Sequence, residues 1–362
     1  MNIIVKSTYP QSDGWGKAAR DYLKSFTLTP HAISATPIIL SNMVLEKLPE
    51  WIPGKPTTNH PDVYFQQCLP QYFDRFGTFR HIGSCFTETR HIQQTGWVDK
   101  LNEMDDIIVA TEQEKENLEE SGVTKRINVV PMPMDFSLLD GCNDELDGLV
   151  RSINGRFAFY FIGELVYRKN FLGLIQAYYR EFTRDDDVVL VIKTSVGNLN
   201  GPDTQKKLME FMQYVHNVLR MYDYGHHYPE IILLVDKFSD LDIVKLHNSC
   251  DCFITLSYGE SSCRPLLDAA YQGNHVICTH GIGALDKDLN IVPVQAYETP
   301  CATPTPPIHY LYSGWETWMV PDLLHAQEVM RDAYDGKLVV TSRNAMRKFS
   351  YESVSDQLNN IL

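Results

Sequence analysis

A chain of 362 residues with 44% hydrophobic and 22% charged residues is too long for one ordinary core and suits two domains of roughly 150 to 200 residues, with a cleft between them. That balance argues against a disordered or fibrous protein. The formal net charge of −14 argues against a general nucleic-acid binder, so an anionic ligand would have to be held by a local site.

The opening Met1–Pro10 reads as a short apolar strand without the basic and apolar regions of a signal peptide. Nowhere do about 18 apolar residues run together, so no transmembrane helix is expected and membrane contact is at most peripheral. With eight scattered cysteines, several in strand-like runs, the expectation is a cytoplasmic protein with reduced, buried thiols. Strands are expected at 2–5, 63–66, 81–85, 106–110 and 127–131, with helices at 17–26 and 112–121. The polar, glycine-containing segment 140–156 reads as the linker, placing a boundary near residue 150. Beyond it the alternation sharpens. Strands at 157–163, 188–194, 231–235, 252–256 and 275–278 alternate with helices at 171–182, 206–219, 241–247 and 265–271, the pattern of doubly wound parallel sheets. Residues 298–307 read as an irregular proline-rich loop, and 320–334 and 342–362 as helical.

Two loops at strand ends carry the chemistry. After the strand at 157–163, Gly163-Glu164-Leu165-Val166-Tyr167-Arg168-Lys169-Asn170 leads into a helix for which Asn170 is a natural N-cap. Two cations just before a helix N-terminus are unfavourable unless an anion lies among them, and a phosphate or diphosphate would resolve the conflict. The plainer reading is a pair of solvated surface cations. The second loop, Ser257 to Asp268, lies between a buried strand and a helix opened by Pro265. Ligands collect outside the carboxyl ends of strands in doubly wound sheets, so both loops are expected at one crevice. Glu260 and Asp268 suit hydrogen bonding to separate sugar hydroxyls. Equally, Asp268 can simply complement the helix dipole, with Glu260 exposed.

These residues resemble the retaining glycosyltransferase family 4, whose signature is a Glu, seven residues and a second Glu; Glu260 and Asp268 stand at that separation. The run from Ser257 to Thr279, the basic pair Arg168 and Lys169, and the stretches Ser12–Arg20, Thr87–Leu101, Thr111–Val123 and Asn128–Asp135 extend the likeness over most of the chain. The resemblance implies a GT-B fold: an acceptor-side Rossmann-like domain over 1–150, a nucleotide-sugar-binding one over 151–341, and a terminal helix over 342–362 crossing back to the first. It implies transfer of a sugar from a nucleotide-diphosphate sugar, UDP- or GDP-linked, to a glycan or other hydroxyl acceptor. Anomeric configuration would be retained, with no other cofactor and no metal. Lys169 and Arg168 would hold the diphosphate, Asp268 the ribose and Glu260 the sugar, with Ser261, Ser262 and Cys263 beside them. Gly14 and Gly16 would form the opposing loop, and Glu88 would lie on the acceptor side, where a buried or helix-entry role is the alternative. The chain departs from the family pattern at Glu164, where an Arg is usual, and at Asp268, one methylene shorter than Glu.

Other signals fall away. Gly14-Trp15-Gly16-Lys17-Ala18-Ala19 fits a dinucleotide fingerprint, but a polar loop separates it from its strand and no acidic residue follows over 30–42. Cys250 and Cys252 lack a second ligand pair, Asp185-Asp186-Asp187 reads as a solvated loop, and His226-His227 as a surface loop. Two further functions stay open: a degenerate GT-B protein that binds nucleotide or glycan without turnover, and a nucleotide-sugar epimerase of the same fold.

Overall fold

The computed structural model describes residues 1–39, 44–58, 60–195, 201–222, 227–283, 285–303 and 311–362. The first sheet contains β1 (Asn2–Ser7), β2 (Ala32–Pro37), β3 (Val63–Gln67), β4 (Arg80–Ser84), β5 (Asp106–Val109) and β6 (Arg126–Val129) in the order β2-β1-β3-β4-β5-β6. Every pairing in it is parallel. The second holds β7 (Phe157–Glu164), β8 (Val188–Ser195), β9 (Ile231–Leu234), β10 (Cys252–Thr255), β11 (His275–Thr279) and β12 (Ile291–Val294) in the order β12-β11-β10-β7-β8-β9, again all parallel. An antiparallel ribbon of β13 (Ala296–Pro300) and β14 (Thr317–Pro321) completes the strands among the described residues.

Parallel strands need crossover connections, and the helices that supply them cover both faces of each sheet. In the first domain they are α1 (Gly14–Thr27), α2 (Trp97–Asn102) and α3 (Glu112–Glu120). The short helices α4 (Phe136–Asp140) and α5 (Asp147–Ile153) follow, then α6 (Phe171–Glu181), α7 (Gly201–Leu219), α8 (Asp240–Asn248), α9 (Arg264–Gln272), α10 (Leu323–Tyr334) and α11 (Tyr351–Ile361). Each sheet has an apolar core on either side. Apolar runs such as Ala158–Phe161 are buried on both faces, so the inner strands of this sheet read as continuous rather than alternating.

The fold-class expectation of two doubly wound α/β domains is met, with differences in detail. The segment expected as a linker carries α5, and Leu139, Cys142, Leu149 and Ile153 pack into a core of the second sheet. Strand β2 is absent from the sequence reading because Ala-Ile-Ser-Ala-Thr-Pro is short, poorly buried and at a sheet edge that tolerates its terminal Pro37. Val320 belongs to β14 rather than to a helix, and residues 345–349 form a 3₁₀ turn before α11. Of the proline-rich segment, 298–300 lie in β13, whereas 304–307 lie outside the described residues. Val354 and Leu358 of α11 are buried in the first domain's core, and Arg80 donates to the carbonyls of Ile361 and Leu362 at 2.8 and 2.7 Å, so the C-terminal helix docks on the first domain.

Candidate functional site

The site is built where the carboxyl ends of β4, β7 and β10 meet. After β7 a single 3₁₀ turn, Tyr167–Lys169, delivers both cations. Asn170 then takes a left-handed conformation at φ 51°, one that Asn adopts more readily than most residues. Its side chain does two jobs. The Oδ1 accepts from the Gly173 amide at 3.1 Å as N-cap of α6, and the Nδ2 donates to the Leu256 carbonyl at 2.9 Å. That second bond, with Tyr258 N–H donating to the Arg168 carbonyl at 2.8 Å, locks the loop after β7 to the loop after β10. The two loops singled out in the sequence are therefore one structure.

Within it Lys169 Nζ lies 2.5 Å and Arg168 Nη1 3.1 Å from Glu260 Oε1, while Arg168 Nη2 reaches across to Glu88 of the first domain at 2.7 Å. Arg168 also donates to the Gly259 carbonyl. Tyr312 completes the cluster by donating to Glu88 Oε2 at 2.7 Å. Burial alone would raise the Glu260 carboxyl, but the adjacent Lys169 and Arg168 outweigh it and hold it down at about 2. The Arg168 guanidinium is pushed above its ordinary value: burial opposes its charge, and Glu88 and Glu260 more than compensate. The negative charge that the sequence requires beside these cations is thus supplied here by the protein's own carboxylates. Domain contact is close at this point, since a Cβ on Gly259 would lie 1.8 Å from the Glu88 carbonyl oxygen.

A second cluster bridges the domains at α9. Arg264 donates through Nε to Asp268 at 2.8 Å, and through Nη1 to Asp21 of α1 at 2.6 Å and to the Pro133 carbonyl at 2.9 Å. Tyr351 of α11 donates to the other Asp21 oxygen at 2.7 Å. Asp268, expected to face a ribose, is therefore paired within the protein, in the first turns of a helix that Pro265 opens as expected. Gly16 permits the tight entry to α1: a Cβ there would stand 2.0 Å from the Gln11 carbonyl oxygen, whereas Gly14 faces open space. The next residue, Lys17, crosses to Asp240 of α8 at 2.7 Å.

The structure thus brings Arg168, Lys169, Glu260 and Glu88 together. It places Asp268 in the neighbouring Arg264 cluster, and Gly14 and Gly16 at the start of α1. Ser261, Ser262 and Cys263 continue the Glu260 loop, and burial raises the Cys263 thiol to about 12, so it is no nucleophile as it stands. Sequence reasoning missed Arg264, although its i,i+4 spacing to Asp268 is a signal for a helical pair. It also missed Glu114. This carboxylate accepts from Ser261 Oγ at 2.7 Å across the interface, and from the Thr87 and Ala110 amides at 2.8 and 2.9 Å. Burial raises it to about 7 against those hydrogen bonds. The Thr111-x-x-Glu114 spacing marks a helix start but carries no hint of Ser261. Of the discarded signals, Asp186 pairs with Arg331 at 3.2 Å, and His226 lies outside the described residues.

No family model matches the chain, and no curated protein matches it in sequence. Solved structures match it from end to end. HepE of Anabaena in complex with UDP does so with a TM-score of 0.65 at 12% identity, covering 100% of this chain and 99% of that one. A sucrose-phosphate synthase from Thermosynechococcus elongatus gives 0.63 at 11%, covering 100% and 98%. An α,α-trehalose-phosphate synthase (UDP-forming) from Burkholderia xenovorans, in complex with glucose-6-phosphate, gives 0.66 at 10%, covering 100% and 99%. At these identities the likeness is one of fold, and that fold is GT-B, two Rossmann-like domains facing a cleft.

Proposed function

We propose that the chain is a glycosyltransferase related to family 4, working in the cytoplasm, that moves a hexosyl group from a nucleotide-diphosphate sugar to an acceptor hydroxyl with retention and without a metal. The observation that carries this reading is the convergence of Arg168 and Lys169 with Glu260 at the strand ends, facing Glu88 of the other domain. Departure of a diphosphate leaves an oxocarbenium-like sugar, so the main task is to neutralise the leaving group. Arg168 offers a fork and Lys169 a mobile point charge for it, Glu260 accepts from sugar hydroxyls, and Asp268 turns from Arg264 to the ribose. Gly14 and Gly16 line the opposite wall. A UDP-linked donor is favoured by HepE, seen with UDP and with UDP-glucose.

The test is a thermal-shift series with UDP, GDP, ADP and CDP, with and without magnesium, since a ligand that binds only the native state raises its apparent stability. The expected result is a metal-independent shift with UDP or GDP that Lys169→Ala abolishes; no shift with any of the four sinks the donor site. One observation favours the alternative of binding without turnover: Glu164 replaces the family's usual Arg, and the site's cations and Asp268 are already paired with protein groups. Hydrolysis or transfer from the bound nucleotide sugar, abolished by Lys169→Ala, would reject it.

A further inference from the structure

The β13–β14 ribbon belongs to neither six-stranded sheet, and its sequence decides which backbone groups it leaves open. Pro300 faces Thr317 across the ribbon. Proline has no N–H, so that pair makes no ladder bond, and the alternation along an antiparallel pair turns the backbone groups of Thr317 and Met319 outward. Both find partners. Met319 N–H donates to the Tyr258 carbonyl of the second domain at 2.8 Å, whereas Thr317 exchanges two bonds with Arg90 of the first. Arg90 N–H donates to the Thr317 carbonyl at 2.9 Å, and Thr317 N–H donates to the Arg90 carbonyl at 3.1 Å. The segment Thr89–His91 is thus added to the edge of β14 from the other domain by an antiparallel bridge.

Side chains tie the same segment down. Thr89 Oγ1 donates to Glu316 Oε1 at 2.7 Å, and Ser313 N–H donates to the other Glu316 oxygen at 2.9 Å. Glu298 of β13 accepts from the Thr317 hydroxyl and pairs with His91 Nε2 at 2.9 Å and with Arg90 at 3.5 Å. His91 is held at φ 58°, a left-handed conformation that persists in a non-glycine residue when its surroundings over-determine it. Thr89, Arg90, His91, Glu298, Glu316 and Thr317 are all polar or charged, as in contacts between domains that come apart rather than in a continuous core. Their separation lets water take over the hydrogen bonds, the Arg90, His91 and Glu298 side chains being already 22%, 42% and 34% exposed. Glu316 is fully buried, and its carboxylate regains hydration when the contact parts. We infer that the ribbon is a reversible clasp across the rim of the cleft, closed when Thr89–His91 is paired with β14 and open when it is not. Glu88 immediately precedes the clasped segment and reaches Arg168 at 2.7 Å, so opening the clasp loosens the protein's own carboxylate from that cation. The clasp thereby sets how readily Arg168 becomes available to an anion. The inference concerns a contact between the domains and does not rest on the transfer reading.

The test is residue-resolved amide hydrogen exchange by NMR on the full chain, since a hydrogen-bonded amide exchanges when its contact opens. The Arg90 and Thr317 amides exchange at one rate, faster than the Met319 amide of the same ribbon. Thr89→Val, which keeps the side-chain shape and removes the hydroxyl, and Glu298→Ala each raise both rates by about tenfold and leave the Met319 rate unchanged. Glu88→Gln raises them as well, because coupling between the two contacts acts in both directions. Protection of Arg90 and Thr317 equal to that of Met319 in the wild type would show a permanent interface, and a Met319 rate that rises with theirs in the variants would show a melting ribbon; either overturns the clasp. Unchanged rates in Glu88→Gln would overturn its link to Arg168. Nucleotide binding takes no part in these readouts, so failure here and failure of the donor site are told apart.

Discussion

Replacing Arg264 with Met removes the one cation between Asp21 and Asp268 while keeping much of the side-chain volume. The three side chains are 12%, 8% and 10% exposed, so water can do little to solvate the two carboxylates left behind. Removing one partner of a buried ion pair costs about 3–5 kcal/mol. Tyr351, still donating to Asp21 at 2.7 Å, should hold the loss toward the lower end. For domains of this size about 1 kcal/mol corresponds to roughly 2–4 °C, so the expected fall in Tm is about 6–20 °C by calorimetry. Arg264→Lys should recover only part, because an ammonium group lacks the fork that reaches both carboxylates. A loss below about 1 kcal/mol would show that the cluster is solvated and the reasoning wrong.

Glu114 is held near 7 by burial against an ordinary value of 4.5, so the folded protein binds a proton that the unfolded one gives up, and stability falls as pH rises between those values. In Glu114→Gln that segment of the pH–stability curve flattens, which urea titrations at pH 5, 6, 7 and 8 would detect; an unchanged curve rules Glu114 out as its source. Glu260 behaves in the opposite sense. Held at about 2, it adds stability that is present above 4.5 and lost as pH falls toward 2, and in Lys169→Ala acid unfolding begins at higher pH. Gly259→Ala sets a methyl group against the Glu88 carbonyl, so the loops must part; a cost of about 1–3 kcal/mol and a larger radius of gyration in solution scattering are expected, and unchanged scattering would contradict the close approach.

The inner strands of both sheets were legible because they are buried on two faces and bounded by turn residues, which leaves an apolar run such as Ala158–Phe161 and little else to read. Asn170 was legible as a cap because capping is local: the acceptor lies three residues away. The edge strand β2 was not, since its partly exposed residues carry no such run. The candidate site divides in the same way. Arg168, Lys169 and Glu260 could be singled out by their places at strand ends, yet the distances that join them depend on the two loops being tied by Asn170 and Tyr258, a contact spanning 86 residues at Asn170. Partners on the other domain, Glu88 for Arg168, Asp21 for Arg264 and Glu114 for Ser261, have no local signature at all. Their pairing is set by how the domains close, which no spacing along the chain encodes.

Those cross-domain partners constrain how any anionic donor could be accommodated. Charge-assisted hydrogen bonds to Glu260 and Glu88 already occupy Arg168 and Lys169, so a diphosphate must either replace a carboxylate as their partner or pack beside one and meet its repulsion. Replacement at Glu88 breaks a contact between the domains, whereas replacement at Glu260 breaks one within the second domain. The first route couples binding to opening of the cleft and the second does not. Cutting the Glu88 contact by Glu88→Gln should therefore strengthen nucleotide binding on the first route, because the contact to be displaced is weaker, and leave it little changed on the second. The Asp21–Arg264–Asp268 bridge works the other way: freeing Asp268 for a ribose breaks a contact within α9 and leaves Arg264 with Asp21 of the first domain. A donor that uses all of these groups would exchange ion pairs within the second domain, and at Glu88 one between the domains, for contacts with itself, and its measured affinity would be what remains after that exchange.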